Sequence, residues 1–353
     1  MTDGQQQDAM AEAVGRPDVE SVPAGRAILV VGPNPAMDRT EEIADFRPHE
    51  VNRALRSSPR AGGKSFIVAR ALRRLRTPVS AYGFLGGPTG RYLRDACAAL
   101  GIRDRHTEIA EETRINTILV DERTRLSTVI NEPGPVVSPV EASALTAAIE
   151  EDLRPGDLLV LTGSLPPGCG DDLYGELIRL ARAREAHVIV DADGDALLGA
   201  VAARPWAIKC NLAEFRGLRP DIPADVLTEE DLAALTAGMA AVVDSGIELV
   251  IVTLGAAGLI AATSGRVIEM DAPPVETKNA TGSGDTLLAG LVSAIAGGGE
   301  LEAALRLGVA AAAVNASVLI PDIGPDPDLD GLLAATHVRT RSVATARTLG
   351  ARP

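Results

Sequence analysis

The sequence predicts an α/β fold: a doubly wound, mostly parallel sheet flanked by helices, with a small β-sheet lid. Two observations carry this expectation. Beyond about residue 130, short runs rich in Val, Ile and Leu alternate with longer helical patterns, the rhythm of βαβ units. Two interruptions of that rhythm, about 36–60 and 103–130, read as segments able to pair as a second sheet, whose natural use is closure over a site. With 353 residues and a 46% hydrophobic composition, the chain can bury the sizeable core that such a domain needs.

The elements follow in order. "RAILVVG" (26–32) reads as a fully buried first strand, and a patchy polar stretch runs on to about residue 60. "GGKSFIVARALRRL" opens a helix after two glycines, "PVSAYGFLG" is a strand, and "TGRYLRDACAALG" is a helix closed by Gly101. "TRINTILVDE" and "RLSTVINEPG" alternate as antiparallel strands do. Then come a helix at 138–151, strand "DLLVLTG", a helix at 171–185, strand "HVIVDAD", strand "WAIKCN" and a helix near 211–217. A long helix at 228–245 leads to strand "LVIVTLG", a hairpin at 257–270, and helices at about 284–297 and 300–317. The expected organisation is a polar, disordered tail (1–25), one domain (26–325) and a C-terminal tail (326–353).

Composition excludes several functions. A net charge of −14 and 2% aromatics argue against nucleic acid, which binds cationic patches and ring platforms. Three separated cysteines without a CxxC indicate a reducing compartment, and four scattered histidines suggest no metal cluster. The N-terminal stretch lacks an apolar signal region, and no apolar run is long enough for a membrane span, so a cytoplasmic location is expected.

The chemistry concentrates in "NATGSGDTLLAG" (279–290). A glycine turn entering a helix points backbone N–H groups at one place, and the helix adds roughly half a positive charge there. Gly282, Ser283 and Gly284 can thus hold an anion, above all charge developing on a transferring phosphoryl group. Asp285 beside them reads either as a helix cap or as a base that takes a proton from an attacking alcohol. "GPNPAMD" places Asp38 past the first strand, as a turn residue or a grip on sugar hydroxyls. "AGGKS" puts Gly62, Gly63 and Lys64 at a helix start. Arg114 in "ETRIN" is either a surface residue or a bidentate phosphate ligand. Asn211 and Glu214 in "KCNLAE" lie on one helix face and can order the water shell of Mg2+. Gly255 and Gly258 in "VTLGAAGLIA" suit a nucleotide lying across a turn.

Together and in this order, these motifs, with "FLGG", "INEPGP" and "GSLPPG", resemble the phosphofructokinase B branch of the ribokinase-like sugar kinases over about residues 26–325. "INEPGP" and "GSLPPG" look most like the subgroup that acts on phosphorylated ketohexoses. The resemblance implies a ribokinase-like fold and transfer of the ATP γ-phosphoryl group with Mg2+. It also implies a homodimer through the lid. It gives Asp285 the role of base and residues 282–284 that of anion hole. Asp38, Gly62 and Gly63 match sugar contacts, Arg114 a substrate-phosphate ligand assisted by Lys64 and Arg53, and Ser164 a residue near the substrate. Asn211 and Glu214 match the Mg-nucleotide motif, and Thr253, Gly255 and Gly258 the nucleotide-binding stretch. The chain departs where the family reads GGKGxNVA: Ser65 replaces a glycine, and Ile67 replaces an asparagine that contacts the sugar. Isoleucine cannot pair a hydroxyl, at a cost of about 1–3 kcal/mol for one buried there, so the site is expected to favour another epimer, a deoxy position or a different sugar. Two alternatives stand beside this reading: a kinase of the same fold for an unphosphorylated sugar or nucleoside, and a non-catalytic sugar-phosphate sensor.

Overall fold

A computed structural model describes residues 25–318, 320–325 and 327–342. β1 (Ile28–Val31) is buried along its whole length, as a run of four apolar residues in a sheet covered on both faces must be. The chain then leaves the main sheet for β2 (Ala36–Ile43) and β3 (Arg56–Gly62), and returns through α1 (Lys64–Arg74). β4 (Ser80–Tyr82) and β5 (Phe84–Leu85) split the single strand expected over 78–86, because the backbone turns at Gly83 against the Gly32 carbonyl. α2 (Gly87–Leu100) starts with Pro88 in its first turn, where the lost N–H costs nothing, and ends at the left-handed Gly101. β6 (Arg103–Asp104), β7 (Thr107–Glu108), β8 (Ile115–Asp121) and β9 (Ser127–Ile130) follow.

The regular half begins with α3 (Pro139–Asp152), opened by a Ser138–Glu141 capping box. It continues through β10 (Leu158–Thr162), α4 (Leu173–Ala183), β11 (His187–Asp191), α5 (Gly194–Ala202), β12 (Ala207–Asn211), α6 (Leu212–Leu218), α7 (Glu229–Asp244) and β13 (Leu249–Thr253). The hairpin β14 (Leu259–Ala262) and β15 (Arg266–Met270) precedes α8 (Ser283–Ala296) and α9 (Leu301–Ala316). α10 (Asp330–Ala335) and β16 (Val338–Ser342) close the described chain.

Ten strands form one sheet in the order β16-β15-β14-β13-β12-β11-β10-β1-β4-β6, with all pairs from β13 to β6 parallel. Alternate residues of β1 enter the two cores: Leu29 and Val31 pack with α3, α4 and α7, while Ile28 and Val30 pack with α1, α8 and α9. The sheet is therefore the middle of three layers. β3-β2-β8-β9 form a separate four-stranded sheet, with a parallel β2–β8 pair at its centre.

Three expectations need correction. Residues 103–108 do not join the small sheet: β6 extends the main sheet beside β4 and β7 pairs with β5, while Arg94 grips Asp104 and Glu108. The segment at 330–342 is a helix and an edge strand rather than a tail, because Arg339 and Arg341 pair with Glu269 on the neighbouring β15. Helix α5 was not anticipated, since "GDALLGAVA" is short, opens on a glycine, and its N-cap Asp193 makes no side-chain capping bond. The expected disorder of the N-terminal tail falls on residues 1–24, outside the described residues, as does 343–353. Among the described residues no helix is long and apolar enough to cross a membrane.

Candidate active site

The chain runs one way from β1 to β4 and the other way toward β10 and β11, so the strand order reverses beside β1. In doubly wound sheets ligands bind at that point, beyond the carboxyl ends of the strands. A cleft of about 590 Å³ lies there, between the main sheet and the small one. Asp38, Asn116, Ile118 and Val129 line it from the small sheet; Thr162, Ser164 and the start of α8 line it from the main body.

Gly282 takes the N-cap position of α8 at φ 74, a left-handed conformation that glycine adopts without steric cost. Asp285 therefore stands in the first turn and is not the cap, so one of its two sequence readings falls away. The turn is braced from α9: Asn315 Nδ2 donates to the Thr281 carbonyl (2.9 Å) and to Ser283 Oγ (3.1 Å). Asp285 is 7% exposed and lines the cleft. Burial pushes its carboxyl up to about 7; Asp191 and Glu214 push the same way, while Lys209 and Lys64 oppose them.

Behind Asp285 lies a buried charge network that the sequence did not reveal. Asp191, wholly buried at the end of β11, accepts from Lys64 Nζ at 3.0 Å and from Lys209 Nζ at 2.6 Å. Burial works against its charge, but the two lysines prevail and hold its pKa below the ordinary range. Burial likewise opposes charge on both lysines, yet Asp191 and Asp285 keep their pKa values above the usual one. Lys209 and Asp191 meet because β11 and β12 are parallel neighbours, a pairing no local motif encodes.

On the small-sheet side, Asp38 Oδ1 accepts from Asn116 Nδ2 at 2.9 Å. Burial raises its pKa, against the pull of Asn116 and the Gly63 amide. Gly62 sits against the Asp38 carboxylate so closely that a Cβ would collide with it. Arg114 donates to the carbonyls of Glu132 and Asn34, each at 2.8 Å, which leaves three of its five N–H donors, including a buried unpaired Nε. Burial lowers its pKa, and Asp38 opposes that. Ser164 accepts from Asn34 Nδ2 at 3.2 Å. Ile67 lines the cleft and packs on the bare face of Gly282, and Ser65 fits only because residue 32, directly opposite, is glycine. Sequence reasoning missed Asn34 and Asn116, although Asn116 stands two residues past Arg114 in the quoted motif.

Asn211 and Glu214 form a capping box on α6, with bonds of 2.9 and 2.8 Å. The remaining Glu214 Oε1 lies 3.7 Å from Lys64 Nζ. Such oxygen donors fit a hard cation that keeps most of its water. Thr253 ends β13 and its hydroxyl donates to the Cys210 carbonyl at 3.4 Å, while Gly255 and Gly258 bound the turn that follows. None of these five lines the cleft beside Asp285, though Glu214 acts on Asp285 electrostatically. Arg53 lies exposed between β2 and β3, away from the cleft lining. Cys97, Asp104 and a single histidine, His106, gather elsewhere, but Asp104 is already held by Arg94 and His106.

Residues 28–319 match the pfkB family carbohydrate kinases. A 1-phosphofructokinase of Rhodobacter capsulatus is 32% identical over 314 residues, covering 89% of this chain and 98% of that one. A tagatose-6-phosphate kinase of Staphylococcus epidermidis is 30% identical over 270 residues, covering 76% and 85%. The crystal structure of phosphofructokinase-2 from Escherichia coli in complex with fructose-6-phosphate is similar with a TM-score of 0.80 and 26% identity, covering 88% of this chain and 99% of that one. The fold is the ribokinase-like one.

Proposed function

The chain belongs to the pfkB family of carbohydrate kinases, and from that premise we propose that it phosphorylates a phosphorylated ketohexose with Asp285 as general base. It is a phosphotransferase acting on a sugar-type acceptor, and its family implies ATP as the donor, usually with Mg2+. The candidate acceptors are fructose 1-phosphate, fructose 6-phosphate and tagatose 6-phosphate, the class to which the relatives' names point. One observation carries the reading: a buried carboxyl pushed up to about 7 stands in the first turn of a helix whose glycine turn faces a cleft shared with Arg114.

In this reading the sugar lies between Asp38 with Asn116 on one side and the 282–284 turn on the other. Arg114 holds the phosphate it already carries, through the donors not engaged by carbonyls. Asp285 takes the proton of the attacking hydroxyl as its oxygen bonds to the γ-phosphorus and the bond to ADP breaks. The N–H groups of the turn stabilise charge on the transferring group. Mg2+, when bound with the nucleotide, neutralises phosphate charge; Asn211 and Glu214 would hold its waters. Thr253, Gly255 and Gly258 would support the nucleotide. The small sheet would act as the lid that keeps water from the γ-phosphate. The exposed Leu126 (70%), just before β9, and Ile130 (55%) at its end support pairing of two copies through this sheet.

The test is Arg114→Ala, assayed by ADP release. The Michaelis constant for the phosphorylated acceptor should rise about 10–1000-fold, as expected from loss of a charge-assisted clamp. An unchanged constant would favour the kinase of an unphosphorylated sugar.

A further inference from the structure

Lys209 has no role in the reading above, yet its placement is unusual. It is 4% exposed and sits behind the residues that line the cleft. Asp191 holds its ammonium at 2.6 Å. The same ammonium lies only 2.8 Å from where a Cβ on Gly284 would stand, so it packs directly under the middle of the anion turn. Asp191 thus divides two lysines: Lys64 at the cleft wall, and Lys209 beneath the turn.

We propose that Lys209 is a positioning residue: its buried ammonium, anchored by Asp191 against the bare Cα of Gly284, fixes the turn and sets the charge state of Asp285. This rests on the role of Asp285 proposed above. The charges acting on Asp285 come from each neighbouring element: Lys64 from α1, Asp191 from β11, Lys209 from β12 and Glu214 from α6. Asp38 and Asp193 line the same cleft, and α9 contributes the neutral Asn315 at the turn. With Asp191, Glu214 and Asp285 ionised, three negative charges face two positive ones. Removing Lys209 leaves one cation against three anions, and the proton on Asp285 is then held more tightly. The constraint also gives a physical reason for glycine at 284: any side chain there would displace the ammonium.

The experiment follows the Asp285 carboxyl by 13C NMR, assigned with Asp285→Asn, beside the pH profile of kcat/KM, in wild type, Lys209→Met and Lys209→Arg. Lys209→Met should raise both midpoints by about 1 pH unit. It should lower kcat about fivefold at neutral pH, as the ionised fraction of Asp285 falls, with little change in the sugar KM. Lys209→Arg, which keeps the charge, should bring the midpoint back toward wild type. A folded Lys209→Met protein whose carboxyl midpoint does not move overturns the inference. If that variant fails to fold, Lys209→Gln decides, since it keeps a hydrogen-bond donor for Asp191 but removes the charge: the midpoint must rise, and an unmoved midpoint overturns the inference equally. A midpoint that responds to Lys209 in a protein that phosphorylates no sugar phosphate supports the electrostatic role and counts against the proposed function instead.

Discussion

Asp285 links stability and chemistry through one proton. Its folded pKa is raised to about 7, so between the ordinary carboxylate range and neutrality the folded state binds more protons than the unfolded one. Stability therefore falls as pH rises across that window; below it both states are protonated, the burial of charge costs nothing, and stability is fully present. Asp285→Asn removes the buried charge, so above neutrality it should raise stability by on the order of 1–3 kcal/mol in urea titrations. The same variant should lose about 10²–10⁴-fold in kcat. In wild type kcat/KM should rise with pH through an acid limb near 7, as a base must be deprotonated to act. Ile67→Asn should restore a partner for a sugar hydroxyl and raise kcat/KM for one acceptor by about 5–100-fold, the equivalent of about 1–3 kcal/mol. At this scale Asp285 and its turn were legible because four consecutive residues carry the chemistry. Asp191 and Lys209 were not, because their meeting depends on strand pairing between residues 18 positions apart.

Among the elements, the segment after α9 ties the small sheet to α1. Asp322 accepts from Arg60 of β3 at 2.6 Å and from Arg74 of α1 at 3.1 Å, with Arg70 Nε at 3.9 Å. Burial works against its charge, but the arginines hold its pKa below the ordinary range. That stabilisation is present above the ordinary carboxylate range and is lost as pH falls through the lowered value. Asp322→Ala should cost about 1–3 kcal/mol at neutral pH in urea unfolding, and less under acid conditions. The repeating strands and helices could be read from sequence because their periodicity and caps are local; α3 announces itself with Ser138, Pro139 and Glu141. β16 could not, because alternating Arg and Thr become a strand only beside the acidic face of β15.

For the molecule as a whole, the reversal of strand order beside β1 places the cleft, and the small sheet stands over it. The exposed Leu126, just before β9, and Ile130 at its end should be covered in a dimer. Leu126→Asp with Ile130→Asp should convert a dimer to a monomer by light scattering while leaving the fold intact by circular dichroism; a wild-type monomer would contradict this pairing. The architecture was legible because βαβ rhythm implies a parallel sheet, and residues 115–130 of the second interruption do pair with the first, while 103–108 turn back to strands of the main body that local pattern could not reveal. The sugar was not legible, because Ile67 changes one contact within a cleft whose other walls come from distant strands. Phosphoryl transfer is followed most directly by 31P NMR of MgATP mixed with each candidate ketohexose phosphate, for wild type and Asp285→Asn. Asp285 as the base of a phosphohexose kinase predicts a new phosphomonoester and ADP with one of them in wild type, and transfer about 10²–10⁴-fold slower in the variant. Transfer that survives in Asp285→Asn at the wild-type rate, or none to any phosphorylated ketohexose, would contradict it.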